Sequence, residues 1–280
     1  MNILYCGDSN IADGVLISLL SLLKSAKEAV NVYILTASIK NGNTEISALS
    51  QDYADFLDKT AKEFGAENSV KLLDITNLFE NDLPLANMDT RFTPCCMLRL
   101  YCDLVDGLPD KILYLDNDVI CRKNPDEFYE QDMGDFELAG VLDYYGSWFF
   151  YNRPFKHEYL NSGVLLLNIK KIKQTELFKK CRDMCRCKKM FMPDQSAINK
   201  LSKHKKICNR KYNEQRKLHG NTVFQHFTTS FRFLPWLHTV SVKPWNIDGM
   251  HQTLKLFEYD NLLISYQQYK DKYQKETIDL

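Results

Sequence analysis

Lys111–Ile120 reads KILYLDNDVI. Ile112, Leu113, Tyr114 and Leu115 form an apolar run, and acidic and polar residues follow at once. Such a run predicts a strand buried on both faces of a parallel sheet. Open α/β sheets bind ligands beyond the carboxyl ends of their strands, and this strand ends in Asp116-Asn117-Asp118. Two carboxylates on one strand tip offer oxygen ligands to a hard cation. A divalent ion held there neutralises a diphosphate. The plainer alternative is a solvated turn, the usual setting of carboxylates; the buried run ahead of it and the rest of the chain favour the cation site.

Working outward toward the N-terminus, Asn2–Cys6, Val30–Leu35 and Val70–Leu73 read as further buried strands. Ile11–Lys27 and Glu45–Phe64 between them read as helices, and this β-α-β-α-β opening predicts parallel strands joined by right-handed crossovers. Asp8 and Asn10 sit where the first strand hands over to the first helix, a usual place for a nucleotide base or ribose, although Asp8 taken alone better suits an N-cap or turn. Ile75–Pro94 is a long connection of the kind that forms lids and binding loops. Cys95–Val105 is expected to be a helix carrying Arg99.

Toward the C-terminus, Leu138–Leu142 is a strand ending at Asp143. The aromatic stretch Tyr144–Tyr159 either walls a sugar site or forms a satellite core under a loop. Leu160–Gly163 precedes the strand Val164–Leu167, and Lys170–Lys189 reads as one helix. Pro193 opens another helix, for which Asp194 suits the N-cap. Val223–Phe227 is a late strand ending near His226, and Lys243-Pro244-Trp245 follows. These elements form one domain, residues 1–245, and the polar, amphipathic remainder, 246–280, reads as a peripheral extension.

Composition limits the function classes. The 280 residues are 45% hydrophobic, enough for a large α/β core. Lys+Arg and Asp+Glu are both 36, so no net charge steers the chain to nucleic acid. Lys170–Lys217 nevertheless holds 17 basic residues against four acidic ones, either a solvated helix face or a surface for anionic lipid headgroups. The nine cysteines are odd in number and scattered, which fits a reducing compartment. Cys181, Cys185, Cys187 and Cys208 lack the paired spacing of a zinc site. The N-terminus lacks the pattern of a signal peptide, and no apolar run is long enough to span a membrane. The expected address is the cytoplasm, with room for contact at the inner face of the membrane.

YLDNDVI, LNSGVLLLNIKK, PDQSAIN and the late His…KPW together resemble the motifs of glycosyltransferase family 8, in that family's order and from Asn2 to about Trp245. The family includes bacterial lipopolysaccharide galactosyl- and glucosyltransferases and the glycogenins. The resemblance implies a GT-A fold, a mostly parallel Rossmann-like sheet flanked by helices. It also implies a UDP-sugar donor, Mn2+ or Mg2+, a glycan or glycolipid acceptor, and transfer of a hexose with retention. On that resemblance Asp116 and Asp118 hold the metal, and Cys6, Asp8 and Asn10 border the uridine. Ile11 stands where many members carry an aromatic that stacks on the base. Arg99 reaches the donor, with Asn117 a further donor-side candidate. Asp143, Asn161, Gly163, Asp194 and Gln195 line the donor sugar, Gln195 nearest the anomeric carbon, and Lys243 meets the diphosphate.

The family spaces its late histidine six residues before the lysine. Here His226 has the strand context but lies 17 residues before Lys243, which makes Thr228–Val242 an insertion; His238, five residues before Lys243, is the alternative ligand. Two other readings compete. A sugar nucleotidyltransferase would carry a glycine-rich basic phosphate loop near the N-terminus, where this chain has GDSN. A degenerate family member would bind sugar or UDP without catalysis, and the intact acidic pair, Asp194-Gln195 and KPW weigh against it.

Overall fold

The computed structural model describes residues 1–41, 44–89, 94–146, 158–232 and 238–278. The chain opens with strand β1 (Asn2–Cys6), a short 3-10 turn (Ser9–Ile11), helix α1 (Ala12–Ser25) and β2 (Asn31–Thr36). A small hairpin, β3 (Ile39–Asn41) and β4 (Thr44–Ile46), precedes α2 (Gln51–Phe64), β5 (Ser69–Asp74) and α3 (Thr76–Asn81). A 3-10 helix (Pro94–Leu104) leads into β6 (Lys111–Leu115), β7 (Val119–Cys121), α4 (Asp126–Tyr129), β8 (Leu138–Leu142) and the single turn α5 (Tyr144–Gly146). Then come β9 (Leu160–Asn168), α6 (Ile169–Thr175), α7 (Leu177–Cys187), α8 (Pro193–Leu201) and β10 (Lys205–Ile207). The chain closes with β11 (Phe224–His226), β12 (Ser230–Arg232), β13 (His238–Val240), α9 (Ile247–Gln252) and α10 (Asp260–Ile278).

The main sheet has seven strands in the order β10-β8-β9-β6-β1-β2-β5. The β5-β2-β1-β6 and β10-β8 pairings are parallel. β9 runs antiparallel to both neighbours, β6 and β8. Burial is nearly continuous along the central strands β1, β6 and β9, because both faces of the sheet are covered and successive side chains enter opposite cores. Leu113 and Leu115 of β6 join a core shared with α1, α2 and α10, while Ile112 and Tyr114 join one shared with the 3-10 helix and α6–α8.

The single reversed strand positions the site. Because β9 is antiparallel, its beginning lies beside the end of β6, with Leu115 opposite Val164. Asp116 N then donates to Gly163 O at 2.8 Å. Beyond Asp118, β7 pairs with β11 so that His226 stands opposite Val119, and Phe227 N donates to Asp118 O at 3.0 Å.

Several local expectations are corrected. Lys170–Lys189 is not one helix: Glu176 adopts a left-handed conformation (φ 53°) that separates α6 from α7. The apolar spacing explains the break, since the five-residue step from Ile172 to Leu177 moves the stripe about 140° round a continuous helix. Cys95–Val105 is a 3-10 rather than an α-helix, and Arg99 Nε donates to Cys96 O, a carbonyl of that turn. α2 starts only after Ser50, whose side chain caps Tyr53 N at 3.2 Å, and residues 44–46 form strand instead. Leu160–Gly163 belongs to β9 rather than preceding it. Met192, not Asp194, is the N-cap of α8. Thr228–Val242 contains the β12–β13 hairpin. Trp148, Phe149, Phe150, Tyr151 and Phe155 of the aromatic stretch lie outside the described residues.

Residues 246–280 supply α9 and α10. Tyr259, Leu262, Leu263 and Tyr266 are buried in the same core as α1. That explains why α1 is apolar on more than one side: it packs on the sheet, α2 and α10. No described helix is long and apolar enough to cross a membrane.

Candidate active site

The carboxyl end of β6 gathers side chains from five parts of the chain. One ligand atom each from Asp116, Asp118 and His226 lie within 4.8 Å of one another, the one such cluster among the described residues. His226 Nε2 is 3.1 Å from Asp118 Oδ1 and 3.5 Å from Asp116 Oδ2. Asp118 Oδ1 is nevertheless buried with no hydrogen-bond partner. A buried anionic oxygen left unpaired is costly, and a cation seated among the three groups would satisfy it. Two carboxylates and an imidazole form a donor set suited to Mn2+, with Mg2+ served by the oxygens. The residues present therefore fit a divalent metal, which Asp116, Asp118 and His226 would hold. The backbone of His238 lies in β13, where it pairs with Arg232 in β12.

Gly163 makes the cluster sterically possible. A Cβ at this position would lie 2.0 Å from His226 Cε1 and 2.7 Å from Asp116 Oδ2. Gly14 serves the neighbouring turn in the same way: a Cβ there would meet Asn117 O at 2.5 Å and the Trp245 ring at 2.8 Å. The KPW tryptophan and the Asp116–Asp118 turn thus close on the start of α1.

Charge is balanced tightly around the two aspartates. Lys243 Nζ pairs with Asp118 Oδ2 and donates to Phe227 O at 3.0 Å. Burial by itself would raise the Asp118 carboxyl, but the charges of His226, when its imidazole is protonated, and of Lys243 overcome it and hold the group well below the usual carboxylate range. Arg99 is 5% exposed. It donates to Asp116 Oδ1 at 2.9 Å and Ser162 O at 2.7 Å, and its Nε lies 3.4 Å from Asp194 Oδ2. Its guanidinium stacks 4.0 Å above the Tyr114 ring, and the Tyr114 hydroxyl donates to Asp116 Oδ1 at 2.6 Å. Burial disfavours the Arg99 charge, yet Tyr114, Asp116 and Asp194 outweigh that and keep it protonated.

The sugar-side candidates form a second network that touches the first. Asn161 Nδ2 donates to Asp143 Oδ2 at 2.9 Å, while Asn161 Oδ1 accepts from Gly163 N at 3.0 Å and lies 3.1 Å from His226 Nδ1. Gln195 Oε1 accepts from Ser162 N at 3.0 Å and from its hydroxyl at 3.2 Å, and Gln195 Nε2 reaches Asp143 Oδ2 at 3.4 Å. Asp194 Oδ2 accepts from the Ser162 hydroxyl at 3.2 Å. Both Asp194 and Gln195 occupy the first turn of α8 and are buried.

The base-side candidates are more loosely assembled. Asp8 is buried, and its carboxylate accepts Asn10 N at 2.9 Å and the Cys95 thiol at 3.5 Å. Asn10 is exposed. Cys6 lies close enough to Arg99 and Asp116 to feel both charges, and burial pushes its thiol up. Ile11 is turned into the core over Gly7, not out toward a base.

The structure adds residues that the sequence did not single out. Ser162 bridges Asp194 and Gln195, and the Tyr114 hydroxyl fixes Asp116. Asn213 Nδ2 donates to Asn161 Oδ1 at 2.9 Å. Ser162 and Tyr114 sit inside quoted motifs and were open to notice; Asn213, in RKYNEQR, carries no spacing signal.

A family model, glycosyl transferase family 8, matches residues 2–249. The chain belongs to this family. Among its relatives, the family member is 26% identical over 262 residues to a lipopolysaccharide 1,2-glucosyltransferase of Escherichia coli, covering 84% of this chain and 73% of that protein. It is 37% identical to the glycosyltransferase GlyA of Streptococcus pneumoniae over only 98 residues, 34% of this chain and 13% of GlyA. The fold matches the galactosyltransferase LgtC, solved with donor and acceptor sugar analogs, at a TM-score of 0.67 and 17% identity, over 96% of each chain. The pneumococcal glycosyltransferase GlyE matches at 0.61 and 19% identity, over 94% of this chain and 63% of GlyE. The sheet is thus a GT-A, Rossmann-like sheet flanked by helices, and the Asp116–Asp118–His226 cluster lies at its carboxyl edge.

Proposed function

We propose that this protein transfers a hexose, galactose or glucose, from a UDP-sugar to a glycan hydroxyl with retention of configuration. The acceptor is a surface glycan, lipid-linked or on a glycoprotein. The observation that carries this reading is the unpaired, buried Asp118 Oδ1 facing Asp116 and His226. Nine free cysteines suit a reducing compartment, and we place the reaction in the cytoplasm.

A divalent ion bound by the triad supplies positive charge for the leaving diphosphate. The chain's own groups do the remaining work. Lys243 adds a point charge where negative charge develops on the departing UDP. Arg99 holds Asp116 and Asp194 in place, and Asp143, Asn161 and Asp194 bind sugar hydroxyls. Cys6, Asp8, Asn10 and Asn117 border the nucleoside and its phosphates.

Retention often proceeds through a carboxylate nucleophile. Gln195 is an amide, and its Oε1 already accepts two bonds from Ser162. Asp143 Oδ1 accepts Gly146 N at 2.7 Å, and its Oδ2 accepts from Asn161 and Gln195. These engagements favour attack by the acceptor hydroxyl on the face that UDP leaves. The bond from acceptor oxygen to anomeric carbon forms as the bond to phosphate breaks, and the leaving phosphate oxygen takes the acceptor proton.

The test is UDP release from a panel of UDP-sugars with Mn2+ or with chelator, followed by NMR of the product anomer. Metal-dependent release from a UDP-hexose with an α-linked product supports the reading. Release of pyrophosphate, an inverted product or a trapped glycosyl adduct on the protein overturns it.

A further inference from the structure

We propose that Asn213 is a positioning residue that ties the metal side of the site to the sugar side through Asn161. The inference rests on the metal-dependent transferase reading above.

The orientation of the Asn161 amide is set by two one-way partners. Gly163 N–H only donates, so it faces Oδ1, and the Asp143 carboxylate accepts, so it faces Nδ2. The oxygen of Asn161 therefore confronts His226 Nδ1 at 3.1 Å. A ring nitrogen facing an acceptor carries the proton. Nε2 is then left with its lone pair aimed between Asp116 and Asp118. This is the tautomer that a metal-binding histidine needs, and the partner on its other nitrogen sets it.

Asn213 adds a third, side-chain partner that secures Asn161 in this pose. It is fully buried, and its Nδ2 donates to Asn161 Oδ1 at 2.9 Å. Its own Oδ1 is buried without a hydrogen-bond partner. An amide kept in the interior at the cost of an unsatisfied oxygen calls for a specific reason, and the bond to Asn161 is its only side-chain hydrogen bond among the described residues.

The next two residues grip the two sides directly. Glu214 O accepts His226 N at 2.9 Å, and Glu214 N donates to Phe224 O at 2.9 Å, which holds the strand that carries the histidine. Gln215 Oε1 accepts Tyr144 N at 2.8 Å, and its Nε2 donates to Leu142 O at 3.1 Å, which holds the turn that carries Asp143. Asn213–Gln215 is thus a brace between the metal strand and the sugar-side turn, with Asn161 as its crosspiece. Through it, filling either half of the site pre-orders the other, so metal and donor bind with positive coupling.

The experiment uses the full chain carrying Asn213→Ala or Asn213→Asp, with folding followed by circular dichroism. Asn213→Asp keeps the shape and removes the donor. Mn2+ affinity is read by electron paramagnetic resonance, with and without UDP, and the His226 tautomer by 15N NMR of metal-free, histidine-labelled protein. Both variants are expected to weaken Mn2+ binding about ten-fold or more, to reduce the gain in Mn2+ affinity that UDP brings, and to blur the Nδ1-protonated tautomer. If the two aggregate, Asn213→Ser is read in the same way. Mn2+ affinity within two-fold of wild type together with an unchanged tautomer overturns the brace, and so does an Asn213→Asp protein that matches wild type. Should wild type bind no Mn2+, the transferase reading fails, and the tautomer in metal-free protein still judges the brace.

Discussion

Two regions of this molecule are built from charge, and they differ in kind. At the tip of β6, Asp116, Asp118, Asp194, Arg99, His226 and Lys243 crowd together, and four of them are at most 6% exposed. At the seat of α10, Lys272 pairs with Glu63 at 2.6 Å and Lys270 with Asp13 at 2.9 Å, all with side chains a third or more exposed. Surface pairs contribute little, because water screens them and their side chains lose entropy on pairing. Buried charges cost desolvation that an apolar core would not incur. A fold in need of stability alone has no reason to collect six ionisable groups at one strand end. The buried set is held for chemistry, and the exposed set fastens a helix whose grip comes mainly from Leu262, Leu263 and Tyr266 in the core.

The sharpest way to break this comparison is at Asp118. Asp118→Ala removes a ligand outright, and UDP release should fall at least about 100-fold, beyond the loss typical of an outer partner. Near-wild-type release would make the tip merely structural. Arg99→Ala should be costly to the fold as well as the reaction. It strands Asp116 and Asp194 without their buried partner, for an expected loss of about 3–5 kcal/mol in urea unfolding. Gly163→Ala forces a methyl into the space of His226 Cε1. It should lose about 2 kcal/mol of stability through overpacking and weaken Mn2+ binding in the same protein; an unaffected metal affinity would separate glycine from the cluster.

The α10 seat should respond on a smaller scale. Lys272→Ala is expected to change stability by less than about 1 kcal/mol, and less again at high salt. The pH dependence separates the regions further. Hydrogen bonds from Lys272 and Tyr269 lower the Glu63 carboxyl below its ordinary 4.5. A carboxyl lowered on folding adds stability above its unfolded value and loses it as pH falls through the folded one. The Glu63 contribution should therefore fade below about pH 4.5, while Asp118, held far lower by His226 and Lys243, stays ionised. Urea midpoints of wild type and Lys272→Ala, measured from pH 6 to pH 3, should converge toward the acid end. A difference that persists unchanged would show that the pair does not titrate with the fold.

Much of the sheet could be read from the chain, because strands buried on both faces are short apolar runs. Residues 112–115 and 164–167 announce themselves in this way, and Asp116 and Asp118 mark the end of the first. Direction was not legible. Nothing in LNSGVLLLN says that β9 runs against its neighbours, yet that reversal is what sets Asn161 and Gly163 beside Asp116. The break at Glu176 was readable in principle, since the apolar stripe jumps between Ile172 and Leu177. Asp194 misled as a cap residue because its carboxylate faces Arg99 and Ser162 instead of its own helix start. His226 could be favoured by strand context, but its approach to Asp118 depends on the β7–β11 register, a long-range pairing that no local pattern encodes. Asn213 is the extreme case: an ordinary asparagine in a polar stretch becomes significant only where the chain returns to Asn161.

The most direct test of the central claim, that Asp116, Asp118 and His226 hold a divalent ion that serves UDP-sugar cleavage, is a Mn2+ titration followed by electron paramagnetic resonance. It would be run with UDP on wild type, Asp118→Ala and His226→Ala. Binding of one ion per chain that UDP tightens and either substitution abolishes is the predicted result. Mn2+ bound equally well by all three proteins, or by none of them in the presence of UDP, would contradict it.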